Sequence, residues 1–209
     1  MKVAYGCCVG SWDKFTRYVT PRAGDSPIFA VSGQTSIATA YNSILNACAT
    51  AWQPSLDMLI LQHDDLEIVD PDAIEKFAAV LADRSVGLVG VAGGSASSGL
   101  MWWNSNPIGH VRAETTMVDF GTHSGQVDLL EGCILVFSPW AIQNLRFAHR
   151  EGFHGYDCDI SMRAALFGKK VVVADVDVHH HTVLGFDDEA SHADWLAADK
   201  EFRERWLSA

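Results

Sequence analysis

Short apolar runs alternate with longer amphipathic segments along the chain. The apolar runs have the length of buried strands and occupy residues 2–9, 27–31, 58–61, 86–91, 127–137 and 169–178, with a weaker alternating run at 111–120. The segments between them predict helices at 37–52, 71–81, 138–147, 156–167 and 187–207. This order predicts one α/β domain, residues 1–209, with a mixed, mostly parallel sheet flanked by helices.

The run at 58–61 ends in three consecutive ionisable side chains, His63, Asp64 and Asp65. Open α/β sheets bind their ligands at the carboxyl ends of strands, so this strand end is a candidate binding site. Two adjacent carboxylates repel each other at neutral pH unless a cation, a proton or hydrogen bonds offset their charge, and a divalent ion is one such cation. The alternative is a solvated turn before a helix that Asp70 caps and Pro71 starts.

The composition narrows the classes of partner. Of the 209 residues, 48% are hydrophobic and 20% charged, and the net charge of -11 argues against nucleic acid or an anionic membrane as a partner. No apolar run approaches the roughly 18 residues of a membrane span, and the glycine-broken N-terminus reads as a first strand rather than a signal peptide. The five cysteines are odd in number and lack zinc-ligand spacing, which predicts reduced thiols in a cytoplasmic protein.

A glycine- and serine-rich stretch, residues 93–99, leads directly into Trp102 and Trp103. One interpretation is a mobile lid whose tryptophans cover a ligand. The other is a long loop that ordinary core aromatics hold in place. The sequence leaves both interpretations open.

Asp157 lies near the start of the helix at 156–167, two residues before Asp159. It is either the N-cap of this helix or a general base for a hydroxyl group. Asp159 suits the positive end of the helix dipole, and Arg163, one turn later, is its expected partner.

Three histidines, His179, His180 and His181, follow the valine-rich run at 169–178. Three imidazoles where a strand leaves a sheet indicate at least one metal or phosphate contact, although their spacing does not define a zinc site. Because side chains alternate along a strand, we expect His180 to point away from His179 and His181.

Seven short motifs follow one another along nearly the whole chain. They are AYN at 40–42, LILQHDD at 59–65, VGLVGVAGG at 86–94, WW at 102–103, EGCILVF at 131–137, YDCDISMRAALFGKKVVV at 156–173 and HHHT at 179–182. Each motif is weak alone, whereas their order and spacing together resemble the nucleotide-sugar-dependent glycosyltransferases of the GT-A fold, in the family 2 group. The narrower resemblance is to a short glycosyltransferase-like branch with a His-Asp-Asp motif.

The resemblance implies a metal and donor site at the His-Asp-Asp motif. Asp65 stands in the metal-ligand position of the family's DxD motif, His63 replaces its first aspartate, and Asp64 is a second candidate ligand. His180, or a neighbour in the histidine tract, matches a histidine that completes metal or diphosphate binding in many relatives, and the implied cofactor is Mn²⁺ or Mg²⁺. The residues expected to border the nucleotide of the donor are His63 and the end of the first strand, Cys8, Val9, Gly10 and Ser11.

The resemblance also implies the chemistry. Asp157 matches the aspartate of the family's Glu-Asp motif, the base of an inverting single displacement, in which it takes the proton of an attacking acceptor hydroxyl. The donor is then a nucleotide-diphosphate sugar, and the acceptor is a saccharide or another hydroxyl compound. The residues expected to contact the sugar or acceptor are Trp102, Trp103, Gly132, Tyr156 and Asp159.

Two other functions compete with sugar transfer. A metal-dependent phosphohydrolase or nucleotidyltransferase would use the same carboxylates, but it calls for a further carboxylate cluster or a basic phosphate loop, and residues 6–12 contain no lysine or arginine. A non-catalytic module that binds a nucleotide sugar or a glycan is the second alternative, against which Asp157 argues. Many relatives read the base with an aspartate after the second strand, where this chain has SGQ at 32–34, so the base of the donor is not assigned.

Overall fold

The computed structural model describes residues 1–51, 56–182 and 188–208. Its strands are β1 Val3–Val9, β2 Ile28–Ser32, β3 Met58–His63, β4 Leu66–Ile68, β5 Val86–Gly90, β6 Ala92–Gly94, β7 Ile108–Ala113, β8 Met117–Asp119, β9 Gly125–Val127, β10 Leu129–Leu130, β11 Ile134–Phe137, β12 Lys170–Val173 and β13 Val178–His180. Its α-helices are α1 Trp12–Lys14, α2 Thr20–Ala23, α3 Ile37–Ala51, α4 Ala73–Leu81, α5 Pro139–Asn144, α6 Tyr156–Leu166 and α7 Glu189–Trp206. Trp52 and Asp187, predicted as the end of one helix and the start of another, lie outside the described residues.

The central sheet has the strand order β2-β1-β3-β11-β5-β12-β9. Strand β1 runs parallel to β2 and β3, and β12 runs parallel to β5, whereas β11 and β9 are antiparallel to their neighbours. Strands β5 and β11 are buried at every position, which explains why their sequences are continuous apolar runs rather than alternating ones. The predicted mixed, mostly parallel sheet flanked by helices is confirmed.

A second sheet has the order β10-β6-β7-β13-β4, and β8 adds to β7. Strand β13 runs parallel to β7 and antiparallel to β4, with His180 opposite Leu66. Because β4 follows β3 after a turn of two residues, this pairing brings the histidines of β13 to the carboxyl end of β3. The backbone N–H of His181 donates to the carbonyl of Asp65 at 2.8 Å and closes the junction between the sheets.

Two long strands predicted from the sequence are divided in the structure. The run at 127–137 forms β9, β10 and β11, and the run at 169–178 forms β12 and β13. Of these strands, β10 and β13 belong to the second sheet and the others to the central sheet. Both divisions occur at acidic residues: Asp128 and Glu131 in the first run, Asp175 and Asp177 in the second. A carboxylate is costly inside a doubly covered sheet, so the chain leaves the central sheet where these residues occur.

Helices cover both faces of the central sheet. Helices α3 and α5 pack with one set of core residues, and α4 packs with another set that includes Phe77 and Ile60. Strand β1 approaches α3 closely at Gly6, where an added Cβ atom would lie 2.5 Å from Leu61 Cδ2 and 2.8 Å from Ile44 Cγ2. Among the described residues, no helix combines the length and the apolar composition needed to cross a bilayer.

The predicted cap at Asp70 is wrong, because α4 begins at Ala73 and has Asp72 at its N-cap. Asp70 is buried and accepts hydrogen bonds from the backbone N–H of Asp72 at 2.9 Å and from Lys76 Nζ at 2.6 Å. It therefore fixes the turn before the helix and anchors the first turn of the helix through a lysine.

The C-terminal helix α7 docks on α6 through Asp159. This carboxylate is buried and accepts from Arg163 Nε at 2.6 Å, as predicted, and also from Arg205 Nη1 at 2.8 Å and Trp206 Nε1 at 3.0 Å. Two of its three donors belong to α7, so Asp159 holds the end of that helix against the rest of the domain.

We predict that Asp159→Ala lowers the free energy of unfolding by about 2–4 kcal/mol, because it leaves partly buried donors without their acceptor. Urea unfolding followed by circular dichroism measures the change. The matched control is Glu204→Ala, whose pair with Lys200 is exposed and 3.9 Å long, and which should cost less than about 0.5 kcal/mol. Equal stability of the two variants would contradict the anchoring role.

Candidate active site

One ligand atom from each of His63, Asp65 and His180 lies within 4.8 Å of the other two, and we call this group the His-Asp-His cluster. His180 Nε2 lies 3.1 Å from Asp65 Oδ1 and 3.4 Å from His63 Nδ1. The other oxygen of Asp65 accepts from Lys14 Nζ at 3.1 Å. The carboxyl end of β3, the end of β13 and the first helical turn after β1 therefore meet at one carboxylate.

The charges of this cluster are coupled. Burial alone would raise the pKa of Asp65, but hydrogen bonds from His180 and Lys14 outweigh burial and hold it well below its usual range. Burial opposes the charged form of His180, yet the hydrogen bond to Asp65 raises the pKa of this imidazole above its ordinary value. Burial and the neighbouring His180 lower the pKa of His63, so His63 is the neutral imidazole of the pair.

A hydrogen-bond chain fixes the tautomer of His63. Tyr156 Oη donates to the carbonyl of Gly132 at 2.8 Å, so it accepts from His63 Nε2 at 2.7 Å. His63 Nδ1 is then the unprotonated nitrogen, and it faces His180 and Asp65. Two imidazole nitrogens and a carboxylate oxygen form a donor set that fits Mn²⁺ and other transition metals better than Mg²⁺, which prefers oxygen ligands.

Asp64, the second predicted metal ligand, lies outside this cluster. Its Oδ2 accepts from the backbone N–H groups of Gly10 at 2.8 Å and Ser11 at 2.5 Å. The carboxylate thus fixes the turn after β1, where donor contacts are predicted. Of the other predicted donor residues, Cys8 is partly buried, and the buried side chain of Val9 packs with Phe15 and Val19, which leaves only its backbone for the nucleotide.

Asp157 is not a helix cap. The N-cap of α6 is Gly155, in the left-handed region with φ 73°, and Asp157 lies in the first turn with Oδ1 accepting from the backbone N–H of Cys158 at 2.9 Å. Its Oδ2 approaches Gly132: an added Cβ there would lie 2.9 Å from this oxygen and 2.5 Å from Tyr156 Oη. Burial, and then the like charge of Glu131, raise the pKa of Asp157 to about 7.

Tyr156 connects the His-Asp-His cluster to Asp157. Its hydroxyl contacts His63 in the His-Asp-His cluster, and the next residue along the helix is Asp157. The left-handed Gly155 and the absence of a side chain at Gly132 allow this close arrangement of loop and helix. A carboxylate with a pKa near neutrality and a candidate metal site thus line one region.

The two tryptophans that were predicted to contact the sugar or acceptor differ in exposure. Trp102 is 6% exposed and packs edge-on against Phe120, whereas Trp103 is 43% exposed. The glycine- and serine-rich stretch before the tryptophans contains strand β6 and a 3-10 turn, Ala96–Ser98, and a second 3-10 turn, Trp102–Asn104, contains both tryptophans. This regular structure favours the core-loop interpretation over the lid. Asp159 was also predicted to contact the sugar or acceptor, and in the structure its carboxylate accepts from Arg163 and from two donors of α7.

The histidines of β13 alternate as predicted. His180 faces Asp65, whereas the rings of His179 and His181 lie 3.8 Å apart, and His181 Nε2 lies 2.9 Å from Glu67 Oε2. The opposite face of the strand therefore carries a separate histidine pair, on which Tyr18 stacks through His181 at 3.8 Å.

Sequence reasoning missed two charged residues of the site. Lys14 comes from the short helix after β1, and no pattern in the sequence indicates that this helix reaches the end of β3. Glu131 comes directly before Gly132 in the EGCILVF motif. Because Gly132 was a predicted sugar or acceptor contact, this position could have indicated that Glu131 belongs to the site. Both act on the carboxylates of the site: Lys14 lowers the pKa of Asp65, after the larger effect of His180, and Glu131 raises that of Asp157.

Comparisons with known proteins identify the family. The model of the glycosyltransferase-like family matches residues 3–203. The streptomycin biosynthesis protein StrF of Streptomyces griseus is 34% identical over 196 residues, which cover 88% of this chain and 69% of StrF. This chain belongs to the glycosyltransferase-like family.

Two solved structures show that this chain has a GT-A-like fold. The mannosyltransferase PcManGT from Pyrobaculum calidifontis, in complex with GDP-Man and Mn²⁺, matches with a TM-score of 0.56 and 14% identity over 92% of this chain and 59% of that one. Protein A197 from STIV matches with a TM-score of 0.57 and 11% identity over 88% and 87% of the two chains. The present chain spans less than two thirds of the mannosyltransferase. At these identities the likeness is one of fold.

We predict that the pair of His180 and Asp65 stabilises the metal-free protein more at pH 5.5 than at pH 8.5. Since the pKa of His180 is raised in the folded state, its charge-assisted contribution is fully present below its unfolded pKa of about 6.5 and is lost as the pH rises through the folded value. The stability difference between wild type and His180→Gln should therefore shrink at about pH 8.5, in urea unfolding with a chelator. His149→Gln, at an exposed position, is the control, and a pH-independent difference for His180→Gln would contradict the linkage.

Proposed function

We propose that this protein transfers a sugar from a nucleotide-diphosphate sugar to an acceptor hydroxyl, with inversion at the anomeric carbon, in a reaction that depends on a divalent ion. The observation that carries the proposal is the junction of the two sheets, where the His-Asp-His cluster and Asp157 are joined through Tyr156. A donor diphosphate at the cluster and an acceptor hydroxyl at Asp157 would then be neighbours. Membership in the glycosyltransferase-like family and the mannosyltransferase neighbour support it.

Three residues would hold the metal ion: His63, Asp65 and His180. A bound Mn²⁺ or Mg²⁺ ion would neutralise charge that develops on the diphosphate leaving group. The chain's own part is to present these ligands in fixed states, through the bond from His63 to Tyr156 and the pairing of β13 with β4. Lys14 Nζ lies 3.1 Å from Asp65 Oδ2 and would add its positive charge to that of the metal ion.

Asp157 is the proposed base, and its environment suits the role. A carboxylate with a pKa of about 7 exchanges a proton with a hydroxyl group more readily than one with the ordinary value, because a base works best when its pKa lies near the working pH. Burial of the carboxylate, and then the like charge of Glu131, produce this pKa. The single exposed tryptophan of the pair, Trp103, is the proposed contact for the sugar or acceptor.

We predict that Asp65→Asn removes the effect of Mn²⁺ on nucleotide binding, because it removes the charged ligand and keeps the shape of the side chain. Calorimetric titration of GDP, UDP, CDP and dTDP with and without Mn²⁺ measures the effect. In the wild type at least one nucleotide should bind more than about tenfold tighter with Mn²⁺. Asp72→Asn, at an exposed helix start, is the control, and equal affinity with and without metal in the wild type would contradict the proposal.

We predict that Asp157→Asn lowers turnover by about 10²–10⁴-fold and leaves donor and metal affinity unchanged, since it removes only the proton acceptor. Because the raised pKa means that folding disfavours the charged form, the variant should melt at the same or a higher temperature than the wild type at pH 8. The assay follows sugar transfer, or donor hydrolysis where no acceptor is supplied. Turnover within a few fold of wild type would show that Asp157 is not the base.

The pH profile gives a further check on the same residue. Activity should rise with pH through about 7 as Asp157 loses its proton, and this limb should be absent in Asp157→Asn. Glu131→Gln removes the like charge and keeps a side-chain acceptor for the backbone N–H of Cys133, so its limb should move to lower pH. An unmoved limb would contradict the assigned role of Glu131.

A further inference from the structure

A second group of possible metal ligands lies on other elements and contributes nothing to the proposed transfer chemistry. His110 is in β7, His123 follows β8, and Asp175 is in the segment between β12 and β13. One ligand atom from each lies within 4.8 Å of the other two, and we call this group the His110 cluster. His110 Nδ1 lies 3.8 Å and His123 Nδ1 3.6 Å from the same oxygen, Asp175 Oδ1.

Each histidine has its outer nitrogen held by a carboxylate. His110 Nε2 lies 2.9 Å from Asp177 Oδ1, and His123 Nε2 lies 2.9 Å from Asp119 Oδ1. An ionised carboxylate only accepts, so both Nε2 atoms carry the proton. In the neutral imidazoles the two Nδ1 atoms are then unprotonated, and both are directed toward Asp175. A carboxylate behind each ligating histidine is the arrangement that orients imidazoles in metal sites.

His110 supplies independent support. Its side chain is 4% exposed, and its Nδ1 is buried without a hydrogen-bond partner. An unpaired buried nitrogen costs stability unless something binds it. Within the part of the chain that the structure describes, Asp119, Asp175 and Asp177 form ion pairs only with these histidines and none with lysine or arginine. The group is thus rich in negative charge and has an orphaned nitrogen at its centre.

We infer that His110, His123 and Asp175 form a site for Zn²⁺ or a similar transition-metal ion, separate from the divalent site of sugar transfer. Metal–ligand distances of about 2.0–2.2 Å at tetrahedral angles place ligand atoms about 3.3–3.6 Å apart, close to the separations from Asp175. Two nitrogens and one carboxylate oxygen are the ligand set of an open zinc site, which leaves a fourth position for water. The ion would join β7, the segment after β8 and the segment that leads into β13.

Equilibrium dialysis of purified protein against Zn²⁺ tests the site. The wild type should bind one equivalent that His123→Ala loses or binds at least about 10–100-fold more weakly, which is the cost of changing even a residue behind a ligand. His123 is partly exposed, with a side chain 37% accessible, so its truncation should leave the fold intact. His149→Ala, at another exposed histidine, should bind zinc as the wild type does.

Two further variants separate this site from the transfer site and test the orienting carboxylate. Asp65→Asn should keep the equivalent that His123→Ala loses, whereas Asp177→Asn should weaken it by about 10–100-fold through the orientation of His110. Zinc should also raise the melting temperature of Asp65→Asn and not that of the double variant with His123→Ala. Unchanged zinc binding in His123→Ala, or loss of the equivalent in Asp65→Asn alone, would overturn the inference and show an ordinary ion-pair cluster.

Discussion

The contact between His180 and Asp65 joins the two sheets at the point where β3 ends. Strand β13 belongs to the second sheet and β3 to the central one, and the chain between the two residues includes most of the domain. Without β13 at this position, Asp65 would retain Lys14 as its one ion-pair partner among the residues that the structure describes, and His63 would lose the imidazole that helps keep it neutral. The electrostatics of the site therefore depend on a tertiary pairing rather than on the His-Asp-Asp motif itself.

The environment of Asp157 lowers the stability of the folded protein. Glu131 and the burial of Asp157 disfavour its charged form, so the folded protein binds a proton there more tightly than the unfolded chain does. The raised pKa of Asp157 therefore lowers the stability of the folded protein near neutral pH. The left-handed Gly155 and the bare backbone of Gly132 show how little room the arrangement leaves, since any side chain at 132 would meet Tyr156 and Asp157.

The sequence predicted β1, β3 and β5 of the central sheet well, because these strands are apolar runs that are buried along most of their length. The family resemblance placed His180 at the same site as Asp65, and alternation along a strand predicted that His179 and His181 point the other way. The partners of polar side chains were harder to predict. Asp64, Asp70 and Asp159 are hydrogen-bonded to a backbone turn 53 residues away, a lysine six residues on and an arginine 46 residues away. Such partners depend on the tertiary fold or on the local turn, which periodicity does not encode.

The His-Asp-His cluster and the His110 cluster differ in how far the sequence indicates them. Two ligands of the His-Asp-His cluster lie next to a turn in a single motif, and a family pattern points to them. The His110 cluster combines residues 110, 123 and 175, which form no motif, and it becomes visible only when β7 and the segment before β13 are side by side. Asp177 contacts His110 and lies three residues before His180, so one short segment positions ligands for both groups. An ion at the His110 cluster would consequently restrain the strand that carries His180, and would couple the order of the second sheet to the geometry of the transfer site.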